Sequence, residues 1–236
     1  MRNTMAIARK EFKSYLTSPT AYVVTGIFLA LTGFLFRYSG ATYVETSIRG
    51  FVETGSMVLL LLAAVLTMRL LAEERKMGTL ELLLTAPVRD SEIILGKFLG
   101  SLGVLTVMLA FTFYYPILLI SFGDPDMGPI GSSYLGLFLL GCASLAVGIF
   151  ASSLTSNQIV AAVVAGGILF ALWFIGMVAS YLPEAAAEAV GYFSLSTYIP
   201  DFSKGVIDSR GIIYYLSITA LFLFLAIRSL ENSRWS

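Results

Sequence analysis

Six long apolar runs separated by short polar intervals dominate this chain. A helix that crosses the hydrocarbon core of a bilayer needs about 20 apolar residues. The runs from Thr20 to Phe36, Thr54 to Ala72, Phe98 to Phe122, Ser133 to Leu154, Gln158 to Leu182 and Gly211 to Ile227 are therefore read as six transmembrane helices. Arg69 is the one charge inside them, and it falls in the last turn of the second run, where a long side chain can reach the interface. Pro116 removes a backbone donor from the third run and predicts a kink there. The fourth run repeats Ser144, Gly148 and Ser152 at four-residue spacing, and the fifth pairs Ala161 with Ala165 and Ala162 with Gly166. Small residues so spaced allow close helix approach, either within the chain or at a dimer or moving seam.

The polar intervals carry their own patterns. Residues 1–18 place Met5, Ala8, Phe12, Tyr15 and Leu16 on one helical arc and Arg2, Arg9, Lys10 and Lys13 on the next. That is the pattern of an interfacial amphipathic helix, with a frayed basic tail as the alternative, and Pro19 ends it. The stretch LAEERKMGTLELLLTAP, Leu71 to Pro87, sets Glu73, Glu74, Arg75 and Lys76 directly after the second run. Gly78 and Thr79 then offer a break and a cap for a short helix ending before Pro87, with Glu81 in its first turn. Leu80, Leu83 and Leu84 share one face, and Asp90 or Ser91 caps the next helix. A leucine face with a charged rim suits docking into a protein groove; lipid headgroups are the other possible receiver. Between the fifth and sixth runs, residues 183–210 are semi-polar with buried-type aromatics, and suit either a partly re-entrant hairpin or an ordered loop capping the bundle. PEAAAEAVGYF within them suits a short helix.

Composition agrees with a single all-α membrane domain over residues 1–236: 57% of residues are hydrophobic and 13% charged. A soluble domain is nearer a quarter charged. Fifteen basic and fifteen acidic residues cancel, so no basic field suggests nucleic acid. Their placement is asymmetric. With the N-terminus inside, Arg2, Arg9, Lys10, Lys13, Arg69, Arg75, Lys76, Arg89, Lys97, Arg228 and Arg234 lie inside, against Arg37, Arg49, Lys204 and Arg210 outside, or 11 against 4. The positive-inside rule then puts both termini in the cytoplasm.

Several chemistries lack their residues. LGKFLGS holds Gly96 and Lys97, but Phe98 stands where a nucleotide-binding loop needs a hydroxyl, and Ser91 stands where it needs its first glycine. No histidine exists, no carboxylate sits at mid-depth in a span, and the lone Cys142 reads as a packing residue. No catalytic or metal site is expected, and energy for any transport must come from another chain.

The run EERKMGTLELLLTAPVRDSEIILGKFLG resembles the signature region of ABC-2 type transporter permeases. ARKEFKSYLTSPTAYVVTGIFLALTGFLF and DFSKGVIDSRGIIYYLSITALFLFLAIRSLENSRW are similar to the gliding-motility-associated branch of that superfamily. The resemblance covers nearly the whole chain. It implies a six-helix half-transporter of the ABC-2, type V exporter-like fold, with an interfacial helix at 1–18 and a coupling helix at 77–86. It also implies a second permease copy, either identical or related, and cytoplasmic ATPase subunits that carry ATP and Mg; this chain itself holds no cofactor. On that reading the ATPase-coupling interface comprises Glu73, Glu74, Arg75, Gly78, Thr79, Leu80, Glu81, Leu83, Leu84 and Pro87. The interfacial helix contributes Arg9, Phe12, Lys13 and Leu16.

Two functions follow as expectations. The first is the permease subunit of an ATP-driven exporter in the cytoplasmic membrane of a bacterium or archaeon. The alternative is a membrane anchor that transmits ATPase strokes to an extracytoplasmic accessory protein without solute flux, through an outer surface that includes Tyr198, Asp201, Phe202 and Asp208.

Overall fold

The structure is a computed structural model that describes residues 2–42, 48–85, 87–123, 125–179, 181, 183 and 190–233. Most of the segment read as a short helix from Pro183 lies outside the described residues, as do Ala86 and the side chain of Leu84. Regular structure among the described residues is helical: α1 (Arg2–Thr17), α2 (Pro19–Thr42), α3 (Arg49–Thr67), α4 (Ala72–Lys76), α5 (Thr79–Thr85), α6 (Asp90–Thr112), α7 (Tyr114–Phe122), α8 (Met127–Ser153), α9 (Gln158–Ala179), α10 (Ile199–Ser203) and α11 (Ser209–Asn232).

Among the described residues, five stretches are long and apolar enough to cross a membrane: Arg49–Lys76, Asp90–Ser121, Met127–Ser153, Gln158–Val178 and Ser209–Asn232. A sixth is counted when Asn3–Thr17 and Tyr22–Phe34, which meet at 70°, are taken as one bent pair. Tyr22–Phe34 carries no charge while Asn3–Thr17 carries several, so that stretch of α2 is the part suited to lipid. Pro19 opens α2 as its first residue, where its missing N–H would have had no intrahelical partner.

α8 is the axle of the bundle. Almost all of it is buried, and α3, α6, α9, α10 and α11 pack around it. Its small residues make this possible. A Cβ on Gly136 would meet Phe202 at 2.8 Å, on Gly141 Leu105 at 2.5 Å, and on Gly148 the hydroxyl of Thr67 at 1.9 Å. Each glycine thus seats a different neighbouring element. α9 and α11 are only partly covered and present apolar residues outward, including Ile159, Val163, Met177, Ile213 and Leu216.

The expected kink in the third run is a break at Phe113, between α6 and α7. Pro116 supplies no N–H to the carbonyl of Thr112 four residues earlier. The Tyr134 hydroxyl of α8 donates to that carbonyl instead, at 2.8 Å, while its ring stacks on Phe113 with centroids 4.4 Å apart.

Residues 190–208 pack on one end of the bundle, with Tyr192, Phe193, Val206 and Ile207 left exposed. Leu195, Ile199 and Phe202 are buried. Leu195 N–H donates to Leu172 O at 3.0 Å, the Tyr215 hydroxyl to Leu195 O at 2.7 Å, and the Ser132 hydroxyl to Phe202 O at 2.6 Å. These bonds tie the loop's backbone to α8, α9 and α11.

Candidate functional site

At the opposite end, the backbone breaks between α3 and α4, where Met68 to Leu71 leave orphaned polar groups. Ser152 of α8 meets three of them. Its hydroxyl oxygen accepts from the N–H groups of Leu71 and Ala72, each at 3.1 Å, and donates to Met68 O at 3.0 Å. One turn earlier, Gly148 lets α3 come close at Thr67. The stripe of Ser144, Gly148 and Ser152 is therefore an intrachain seam that fixes where α4 leaves the bundle.

α4 carries charges into a partly enclosed cleft. Lys97 of α6 is 1% exposed, yet its ammonium lies 2.8 Å from Glu74 Oε1 of α4 and 3.0 Å from Glu11 Oε1 of α1. Lys10 stands at the rim, 3.8 Å from Glu74 and 4.0 Å from Glu11, so two positive and two negative charges share the site. Removing charges from water is costly, and such a cluster persists only when opposite charges and hydrogen bonds compensate. A cavity of about 240 Å³ runs beside it, lined in part by Ser14, Ser18, Arg69, Glu73 and Met77. Arg69 donates to the Ser18 hydroxyl at 3.0 Å and stacks over the Tyr15 ring at 4.5 Å. The Tyr15 hydroxyl donates to Leu66 O at 2.6 Å. Arg75 leaves α4 on the other side and donates to the Ser233 hydroxyl, just past α11, at 2.8 Å.

α1 rests on α6 through Ile7, Ala8, Glu11 and Phe12, a face rotated from the arc expected of the sequence. A Cβ on Gly96 would strike Ile7 at 2.7 Å, on Gly100 the side chain of Glu11 at 2.6 Å, and on Gly103 Phe12 at 2.8 Å. Both helices rise in the same direction through these contacts. Ala8 and Tyr15 are buried, Met5 and Leu16 are exposed, and Arg9 and Lys13 point outward.

α5 departs from expectation in its orientation. Gly78 adopts φ +69°, a left-handed conformation that favours glycine, and turns the chain into α5. The face carrying Leu80 and Leu83 turns toward the protein's own core: Leu80 is 4% exposed and Leu83 packs against the core. An apolar face takes whatever apolar surface lies nearest, and here the bundle supplies it. Thr79, Glu81, Thr85 and Pro87 form the outward side together with Lys76, Met77 and Gly78. The following helix is also capped one residue earlier than expected: Arg89 is the N-cap of α6, and its N–H donates to Glu92 at 3.2 Å.

Sequence reasoning grouped Glu73, Glu74 and Arg75 as one outward interface, but Glu74 and Arg75 are tied into the bundle. Lys97 it passed over. The available signal was a single lysine between Gly96 and Gly100, a charge at a place built for close helix approach.

At the α10 end, Phe202 is 1% exposed and packs inward, whereas Tyr198, 7% exposed, lines the floor of an open groove. Asp208 is the N-cap of α11 and accepts from Arg210 N–H at 2.8 Å, and Asp201 is half-buried. That groove is apolar, about 530 Å³ in volume, and bordered by Tyr192, Phe193, Arg210, Tyr214 and Leu221. No group of three or more His, Cys, Asp or Glu able to hold a metal is gathered among the described residues.

The chain is similar to a probable ABC transporter permease protein, NosY, of Pseudomonas aeruginosa, with 28% identity over 181 residues. The matched region covers 71% of this chain and 64% of that relative, less than two thirds of its length. The family model for the ABC-2 family transporter protein matches residues 5–229, from the α1 elbow to the end of α11. By that match, and by its stacked apolar helices, the chain belongs to the ABC-2 family of transporter proteins and is a multi-pass membrane protein.

Proposed function

We propose that this protein is the permease subunit of an ATP-driven exporter, worked from the cytoplasm by a separate ATPase that docks on α4, α5 and the loop to α6. The observation that carries the reading is the outward polar face of a short helix, Thr79, Glu81 and Thr85, held on the bundle by Leu80 beneath it. The rim of a protein interface is polar and solvent-accessible, which is the character of this outward face, while Leu80 grips the chain's own core. The Gly78 turn sets that face off from α4, and Ser152 fixes the base from which it projects. In this reading both termini are cytoplasmic, ATP and Mg belong to the partner, and two permease copies enclose the path.

Glu81 lies in the first turn of α5 and its side chain is exposed, so reversing its charge disturbs the docking face without disturbing the core. Copurification from membranes tests this. The wild-type protein is expected to bring down an ATPase whose turnover rises on reconstitution in lipid, and Glu81→Lys is expected to weaken that complex at least tenfold. An ATPase that binds Glu81→Lys as tightly as the wild type overturns the assignment of the docking face, and the absence of any copurifying ATPase overturns the function.

A further inference from the structure

We infer that Lys97 is a positioning residue that links α4 to the α1 elbow, so that displacement of the α4–α5 excursion is delivered to α1 and through it to α2. This rests on the coupling function proposed above. Glu74 and Lys97 stand at the two sides of the neck through which residues 75–96 leave and re-enter the bundle, and their 2.8 Å contact closes that neck. The same ammonium holds Glu11 at 3.0 Å, so one buried cation joins three elements with no intervening group. Lys97 has nowhere else to place its charge, being 1% exposed, and a shift of Glu74 must move it or leave it unpaired. Glu74 Oε2 is buried with no hydrogen-bond partner of its own, which makes the lysine the principal hold on that carboxylate. Lys10 is the other cation facing both carboxylates, but it stands 3.8 and 4.0 Å away and is largely exposed. Beyond Lys97, α1 rides on Gly96, Gly100 and Gly103 with no room for a side chain, and the bond from Tyr15 to Leu66 fixes its far end just before the 70° bend into α2. An input at α4 therefore reaches the first membrane helix without passing through the core of α8.

Hydrogen exchange of the permease in nanodiscs reads the link directly. Glu74→Gln keeps the Lys97 to Glu11 pair and the glycine contacts, yet it is expected to raise amide exchange of Ala8 to Phe12 in α1 at least fivefold. In a Lys97→Met, Glu11→Gln background, where the linking cation and its α1 partner are both gone, adding Glu74→Gln is expected to change that exchange less than twofold. A merely structural triad would loosen α4 alone. Exchange in α1 within twofold of wild type for Glu74→Gln overturns the inference, and this single variant decides it if the Lys97→Met, Glu11→Gln background does not fold. In complex with the copurified ATPase, Glu74→Gln is expected to lower ATP turnover at least threefold with binding unchanged, whereas unchanged turnover also overturns it. If wild type captures no ATPase, the coupling function fails and the exchange comparison still judges the link.

Discussion

Glycines at positions with no spare volume set the geometry of this bundle, and they are not equivalent. Gly148 would bring a Cβ within 1.9 Å of the Thr67 hydroxyl, whereas Gly166 has nothing within 4 Å. Gly148→Ala is expected to destabilise the protein by about 1–3 kcal/mol, the usual cost of overpacking, and Gly166→Ala to be neutral or slightly stabilising in thermal melts in detergent. Their four-residue spacings look alike along the chain, but spacing reports that a helix has a flat side and not which neighbour occupies it. The same limit hid Lys97, whose two acid partners are distant in sequence and come from separate helices. Cys142 was legible because it needed only a local judgement, and it is buried and unpaired as a small apolar residue would be.

Short interruptions position the longer elements. Tyr134 meets the Thr112 carbonyl that Pro116 leaves without a donor, so Tyr134→Phe is expected to cost about 0.6 kcal/mol, the average for hydrogen bonds inside membranes, and no more than about 1.7. Pro116→Ala should recover most of this loss by restoring the helical donor. Both are read as shifts in unfolding by titrated denaturing detergent. Ser152→Ala orphans two N–H groups at the base of α4 and is expected to raise amide exchange at Leu71 and Ala72 at least tenfold, with exchange inside α9 unchanged. The sequence made the proline and the serine visible, but their counterparts lie on other helices. α5 shows the same limit from the other direction. The leucine spacing identified an apolar face, and only the packed bundle reveals that this face turns inward, leaving Glu81 and Thr85 outside.

Across the whole molecule, apolar runs long enough to cross a bilayer made five of the spans and their order legible, while the first run is counted only together with α1 across the 70° bend. The run ends were less so, because helices extend past the lipid-suited stretch: α8 begins at Met127 and α11 continues to Asn232. The α5 and α10 ends of the bundle are opposite, since α11 starts beside α10 and finishes where Arg75 meets Ser233. With 11 basic residues assigned inside, Thr85→Cys is expected to react with a membrane-impermeant maleimide only in inverted vesicles, and Val206→Cys only in intact cells. Buried Cys142 should stay unlabelled in both and so gives a clean background. Labelling of both new thiols from one side would reverse or break the topology.

The docking of α1 on α6 also bears on how the chain is made. Glu11 and Lys97 are 86 residues apart, and ribosomes add about 5–20 residues per second, so the elbow waits on the order of 4 to 17 s before its seat has been synthesised. During that interval its apolar side has no glycine track to rest on and lies against headgroups or an insertion factor. Truncated nascent chains arrested before residue 97 should therefore expose α1 to protease, and chains arrested well beyond Gly103 should protect it.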